Sequence, residues 1–266
     1  MNPNNNSKPV ALVTGASSGI GAIYADRLAR RGHDLILVAR SADKLKTLAA
    51  KLHADIGRKI EVFPADLTRK EDVLRVEQLL QSDDRIGILV NNAGIGATST
   101  LVDSDADRLE EMIQLNVTAL TRLTRAVAPG MIRRGKGAII NIASIVALTP
   151  ELLNGTYGGS KAFVLAFTQS LAHELGPHGI QVQAVLPGAT RTDFWEIAGT
   201  PVDALPQQIV MSAEDMVDAS LVGFDHKELV SIPALPDVGD WERFEAARQV
   251  LAPNLSRASA AQRYRV

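Results

Sequence analysis

The sequence contains no cysteine at all. Disulfides, thiolate catalysis and cysteine-ligated metal centres are thereby excluded. Its five histidines are scattered, with no H-x-x-x-H or H-E-x-x-H pair, so no metal site is expected. Charge of one sign is missing too: the formal net charge is -2, which gives no reason to expect nucleic acid or an anionic membrane as partner. No apolar run reaches membrane-spanning length, and the polar start over 1–9 lacks the apolar segment of a signal peptide. The expectation is a cytoplasmic protein with a flexible tail over 1–9 and no membrane partner.

What is present is ordinary for a globular chain: 46% apolar and 22% charged residues over 266 positions, enough for one large α/β domain. Short, nearly continuous apolar runs at 10–14, 35–39, 60–65, 86–90, 137–143, 180–186 and 228–232 read as strands buried on both faces. Between them lie segments of helical periodicity at 19–31, from the Ser41 cap through Leu52, and at 68–81, 105–134, 157–175 and 212–224, with another at 241–251. Pro129 predicts a bend or an end late in the fourth of these. Strand and helix in alternation predict a doubly wound parallel sheet of about seven strands with helices on both faces. One domain over 10–255 is expected, then a loose end over 256–266. Periodicity vanishes over 190–211, where Phe194, Trp195, Ile197, Leu205 and Ile209 mix with Pro201 and Pro206, as in a flap over a binding site.

Ligands of such sheets sit beyond the carboxyl ends of the strands. The first strand runs there into Thr14-Gly15-Ala16-Ser17-Ser18-Gly19-Ile20-Gly21, a G-x-x-x-G-x-G turn that aims a helix N-terminus at whatever binds above, a seat for phosphate. A turn of this kind also arises where the backbone simply needs positive φ. The second strand ends in Arg40, whose guanidinium suits the extra phosphate of NADP, whereas a carboxylate there would hold the ribose of NAD. NADP is therefore favoured, with a solvated surface arginine as the alternative.

Tyr157 and Lys161 stand four residues apart and so share one face of a helix. Ser144 lies 13 positions upstream of the tyrosine, just past the fifth strand, and Asn116 falls inside the long helix, where an amide has poor propensity. Each has a bland reading, as a partly buried tyrosine, a solvated lysine, a loop serine and a helix-kinking asparagine; the set is harder to dismiss.

With these residues the sequence resembles the short-chain dehydrogenase/reductase family from Val10 to about Ile232. The match rests on the glycine turn, Asp66-Leu67, Asn91-Asn92-Ala93-Gly94, Asn116, Ser144, Tyr157 with Lys161, and Pro187-Gly188 followed by Thr192. The resemblance implies a Rossmann-like fold and an oxidoreductase that exchanges a hydride between NADP(H), with NAD(H) possible, and a carbonyl or alcohol. It makes Tyr157 the general acid/base, Lys161 the group that lowers its pKa and holds the nicotinamide ribose, Ser144 the donor to the substrate oxygen, and Asn116 the holder of a relay water. It assigns Gly15, Ser17, Ser18, Gly19, Ile20 and Gly21 to the phosphate turn, Asp66 and Leu67 to adenine, and Asn92, Ala93 and Gly94 to the ribose. Pro187, Gly188, Thr190 and Thr192 would anchor the carboxamide.

The flap residues, with Ile145, Val146, Leu148, Leu152 and Leu153, point to an apolar substrate. Helices at 105–134 and 157–175, apolar on more than one face, suggest packing against another subunit, and the resemblance implies a homodimer or homotetramer. The rivals are an NAD-dependent alcohol dehydrogenase of the same fold and a non-catalytic dinucleotide-binding regulatory protein.

Overall fold

In the computed structural model, which describes residues 8–265, seven parallel strands form one sheet: β1 (Val10–Thr14), β2 (Leu35–Ala39), β3 (Ile60–Pro64), β4 (Ile86–Asn91), β5 (Gly137–Ile142), β6 (Ile180–Val185) and β7 (Val230–Ser231). Their order is β3-β2-β1-β4-β5-β6-β7. The chain leaves β1 toward one edge, then returns through β4 toward the other. That reversal opens a crevice between β1 and β4 at their carboxyl ends, the place where such sheets bind ligands. The doubly wound sheet expected from the alternation is the fold observed, with the expected strand count.

Continuous apolar strands require cover on both faces, and helices supply it. On one face α3 (Lys70–Ser82), α5 (Leu120–Arg134) and α6 (Gly155–Leu175) contribute Val73, Val76, Leu123, Val127, Leu171 and Leu175 to a core with Leu12, Ile36, Leu89 and Ile139. On the other, α1 (Gly19–Arg30), α2 (Ala42–Ile56) and α8 (Ala213–Asp225) pack Tyr24, Leu28, Leu45, Leu52, Val217 and Leu221 on Val13, Leu37, Val90 and Ile140. Odd and even residues of each strand face opposite cores, as the pleat requires.

Two expectations are corrected. The long helix over 105–134 does not end at Pro129. It is α4 (Ala106–Ile113), then a π-helical turn over Gln114–Ala119, then α5, which carries Pro129 through to Arg134. Pro129 and Arg125, the residue whose carbonyl loses its partner, are both exposed, so water can satisfy that carbonyl and the helix survives. Nor is 190–211 structureless. It holds α7 (Phe194–Ala198) and single turns at 202–204 and 207–209. Its ends are pinned together, Arg191 N donating to Met211 O at 2.9 Å and Met211 N to Ala189 O at 2.9 Å. Each piece is shorter than the window in which periodicity can be read, and Pro201 and Pro206 separate them.

The chain folds as two compact units, one up to Pro233 and one from Ala234 onwards. In the second, α9 (Val238–Leu251) brings the Trp241 and Phe244 rings to 5.6 Å, and none of its described residues is buried. Of the expected N-terminal tail, residues 1–7 lie outside the described residues, as does Val266 of the C-terminal one. Among the described residues no helix is long and apolar enough to cross a membrane.

Candidate active site

The turn after β1 is built around missing side chains. Gly15 and Gly19 take φ of +65° and +52°. At Gly21 a Cβ would stand 2.3 Å from the Gly15 carbonyl oxygen and 2.5 Å from Asn92 Nδ2. Asn92 Nδ2 donates to the carbonyls of Thr14 (2.9 Å) and Gly15 (3.2 Å). Thr14 Oγ1 donates to Val90 O at 3.2 Å and accepts from the main-chain N–H of Asn92 and of Ala93, both at 3.0 Å. The ends of β1 and β4 thus form one piece. Thr14 is the part that sequence reasoning left without a role; its signal is a lone hydroxyl closing an apolar strand. Ser18 precedes α1 without capping it, so first-turn N–H groups are left to face an anion. A cradle of this shape fits a pyrophosphate.

Arg40 follows β2 directly, is exposed, and pairs with no carboxylate among the described residues. Asp66 closes its own loop, its carboxylate accepting from Thr68 N (3.1 Å) and Thr68 Oγ1 (2.8 Å), while its N–H donates to Asp72 (2.8 Å). Beside it Leu67 is buried. These residues stand at the carboxyl ends of β2 and β3, on the β1 side of the crevice.

The chemical groups come from α6. Asn154 caps it, accepting from Thr156 N at 2.9 Å, and ties it to the loop after β4 by donating to Ser99 O at 2.8 Å. Tyr157 and Lys161, one turn apart, are both buried, and the lysine Nζ lies 5.8 Å from the tyrosine ring centroid. Lys161 Nζ donates to the carbonyl of Ile142, the last residue of β5, at 2.9 Å. Ser144, two residues on, is buried; its Oγ donates to Pro187 O at 3.4 Å and accepts from Val146 N at 3.3 Å.

Burial pushes the Tyr157 phenol up to about 12, against which the hydrogen bond of Ser144 works. Burial also brings the Lys161 ammonium down to about 8. Desolvation thus dominates both groups in place of the expected lowering of the tyrosine by the lysine, whose head is turned to a carbonyl.

Asn116 sits in the π-helical turn, which holds one more residue than an α-helical turn and so swings the amide toward the loop after β4. Its Oδ1 accepts from Ile95 N at 3.0 Å, and its Nδ2 donates to Ile95 O at 2.8 Å and to Ser160 Oγ at 3.1 Å. It stands behind the crevice.

One cavity of about 390 Å³ joins these parts. Gly15, Ser18, Gly19 and Ile20 line one end; Asn92, Ala93, Gly94, Ser144, Tyr157, Lys161, Pro187, Gly188, Thr190 and Thr192 line the middle; Ile145, Val146, Leu152, Leu153 and the flap's Phe194, Trp195, Ile197, Leu205 and Ile209 line the far end. Ser17, Gly21, Arg40, Asp66, Leu67 and Asn116 lie outside that lining, and so does Leu148, contrary to expectation. Ile95 and Asp193 line it unanticipated, with no pattern in the sequence to mark them.

The sequence pattern of the short chain dehydrogenase family matches residues 9–200. The chain belongs to that family of NAD(P)-dependent oxidoreductases and has its fold. Among solved structures, a short-chain dehydrogenase from Sphingobium yanoikuyae in complex with NADPH is 52% identical, with a TM-score of 0.94 over 97% of this chain and 100% of that one. The bulky-bulky ketone specific alcohol dehydrogenase of Comamonas testosteroni is 47% identical, with a TM-score of 0.90 over 97% of this chain and 99% of the other. A very-long-chain 3-oxoacyl-CoA reductase of Anas platyrhynchos is 37% identical over 209 residues, 76% of this chain and 67% of that protein. This chain spans about two thirds of the length of such curated relatives, 62% to 67%.

Proposed function

We propose that this chain is an NADP(H)-dependent oxidoreductase acting on the carbonyl or secondary alcohol of an apolar small molecule, a ketone with large groups on both sides being the best fit. The observation that carries the reading is the buried Tyr157–Lys161 pair midway along a cavity with a glycine cradle at one end and an apolar flap at the other. When bound, the nicotinamide supplies or takes a hydride. Tyr157, with its pKa raised to about 12, holds its proton at neutral pH and can deliver it to a carbonyl oxygen. Ser144 would donate to the same oxygen as it gains charge. Lys161 would hold the nucleotide's ribose. A Cβ at Gly94 would stand 3.0 Å from Asn116 Oδ1 and 3.5 Å from Lys161 Nζ, a closeness that supports the asparagine's part in a relay to the lysine.

NADP is favoured over NAD by the free guanidinium of Arg40 and by the 52% identical structure that holds NADPH. The apolar flap, and the ketone specificity stated for the 47% identical enzyme, support the substrate class. A homodimer or homotetramer belongs to the same proposal, supported by the exposed Ile113 of α4 and the exposed Phe163 of α6, which stacks on the half-buried Phe167 at 5.5 Å. So does a cytoplasmic location. Tyr157→Phe tests the centre of the reading: kcat for ketone reduction should fall about 1000-fold while NADPH affinity, followed by nucleotide fluorescence, stays within about threefold. A phenylalanine variant with a tenth or so of parental turnover would end it.

A further inference from the structure

We propose that Gly96 is a specificity-determining position: by admitting the Phe194 ring, it sets how large a ketone substituent the cavity takes. The inference rests on the ketone-reductase reading and narrows it to one wall of the site.

Gly96 follows the Asn92-Ala93-Gly94 segment by two residues. A Cβ built on it would lie 2.3 Å from Cζ and 2.8 Å from Cε2 of Phe194. Non-bonded carbons rest at about 3.5–4.0 Å, so no side chain fits there while the ring stays. The backbone gives no other reason for glycine, because Gly96 is not among the residues of positive φ. The ring is therefore what the glycine accommodates.

Phe194 in turn packs against the Tyr157 ring, with centroids 5.7 Å apart and planes at 43°, and meets Trp195 edge-on at 5.6 Å. Phe194 lines the main cavity, whereas Gly96 lines only a smaller neighbouring one of about 180 Å³. Ile95 and Ile197 line both, and the Phe194 ring meets Gly96 with its Cζ edge. The flap that carries it is fastened to the same loop, Thr98 N donating to Ala198 O at 3.0 Å and Thr98 Oγ1 to that oxygen at 2.9 Å. With its root held, a ring pushed off Gly96 by on the order of 1 Å enters the cavity beside the Tyr157 phenol. Gly96 is a positioning residue that acts through Phe194.

The test uses the full chain, NADPH, and two ketones: butan-2-one, small on both sides, and valerophenone, with a phenyl and a butyl group. Gly96→Ala should lower kcat/KM for valerophenone about 30-fold, mostly through KM, and leave that for butan-2-one within about threefold. The double variant Gly96→Ala with Phe194→Ala should recover most of the valerophenone activity, since the displaced ring is gone. Equal losses on both ketones, no loss on valerophenone, or no recovery in the double variant would overturn the proposal. Phe194→Ala alone keeps the test open should Gly96→Ala misfold: the ratio of valerophenone to butan-2-one activity should rise about fivefold, and an unchanged ratio would overturn the proposal. Parent protein that reduces neither ketone with NADPH overturns the underlying reading before any variant is made.

Discussion

The two ends of the cavity are made of different material. The end formed by the β1 turn and the start of α1 consists largely of main chain: glycines at positive φ, free N–H groups, and carbonyls held in place by Asn92 and Thr14. The end beneath the flap consists of side chains, with Tyr157, Phe194 and Trp195 in successive ring contact and the indole of Trp195 donating to Thr190 O at 2.9 Å. A wall of main chain tolerates few sequences, because only glycine leaves the backbone bare. A wall of side chains tolerates many, because any apolar residue of suitable volume can fill it. The first end therefore suits a ligand that never varies, and the second one that does.

The sharpest way to break this contrast is to add a single methyl group to the first end. Gly21→Ala places a carbon against the Gly15 carbonyl and the Asn92 amide, and should force the turn apart by on the order of 1 Å, lowering NADPH affinity at least about 100-fold. Titration of nucleotide fluorescence checks it, and a folded variant that binds like the parent would show that the turn yields. Arg40→Asp should come next. Exchanging a fork of donors for a like charge is expected to shift the ratio of kcat/KM with NADPH to that with NADH by about 100-fold toward NADH. An unaltered ratio would make Arg40 a bystander.

The mildest probe lies between the two ends. Burial disfavours the Lys161 ammonium, so the charged form is present below about pH 8 and lost above it. Ketone reduction should accordingly fall to about half at pH 8 and about a tenth by pH 9, read as kcat/KM at saturating NADPH. A flat profile between about pH 7 and 9 would place the lysine's charge outside the rate-determining chemistry.

The same contrast explains what could be read in advance. The glycine turn, the Tyr157–Lys161 spacing and the apolar strands were visible because each rests on a local rule, namely bare backbone, one helical turn, or burial on both faces. The π-helical turn was not. Asn116 stands out in the sequence only as an oddity, while Pro129 marks a bend or an end, because proline carries a breaking signal and a surplus residue carries none. The flap's order was hidden for a related reason: its ties run from Thr98 to Ala198 and from Met211 to Ala189, between positions that no period connects. Gly96 carries no such signal, because a glycine required by a distant ring looks, in one dimension, like any other loop glycine.

The chain has only two tryptophans, and their placement makes the flap self-reporting. Trp195 is buried beside the cavity, whereas Trp241 lies in the C-terminal unit and packs on Phe244. The indole of Trp195 emits in the band where a dihydronicotinamide absorbs, so nucleotide occupancy can be followed by quenching and energy transfer without any added label. Replacing Trp241 alone would leave Trp195, which lines the cavity, as the single tryptophan.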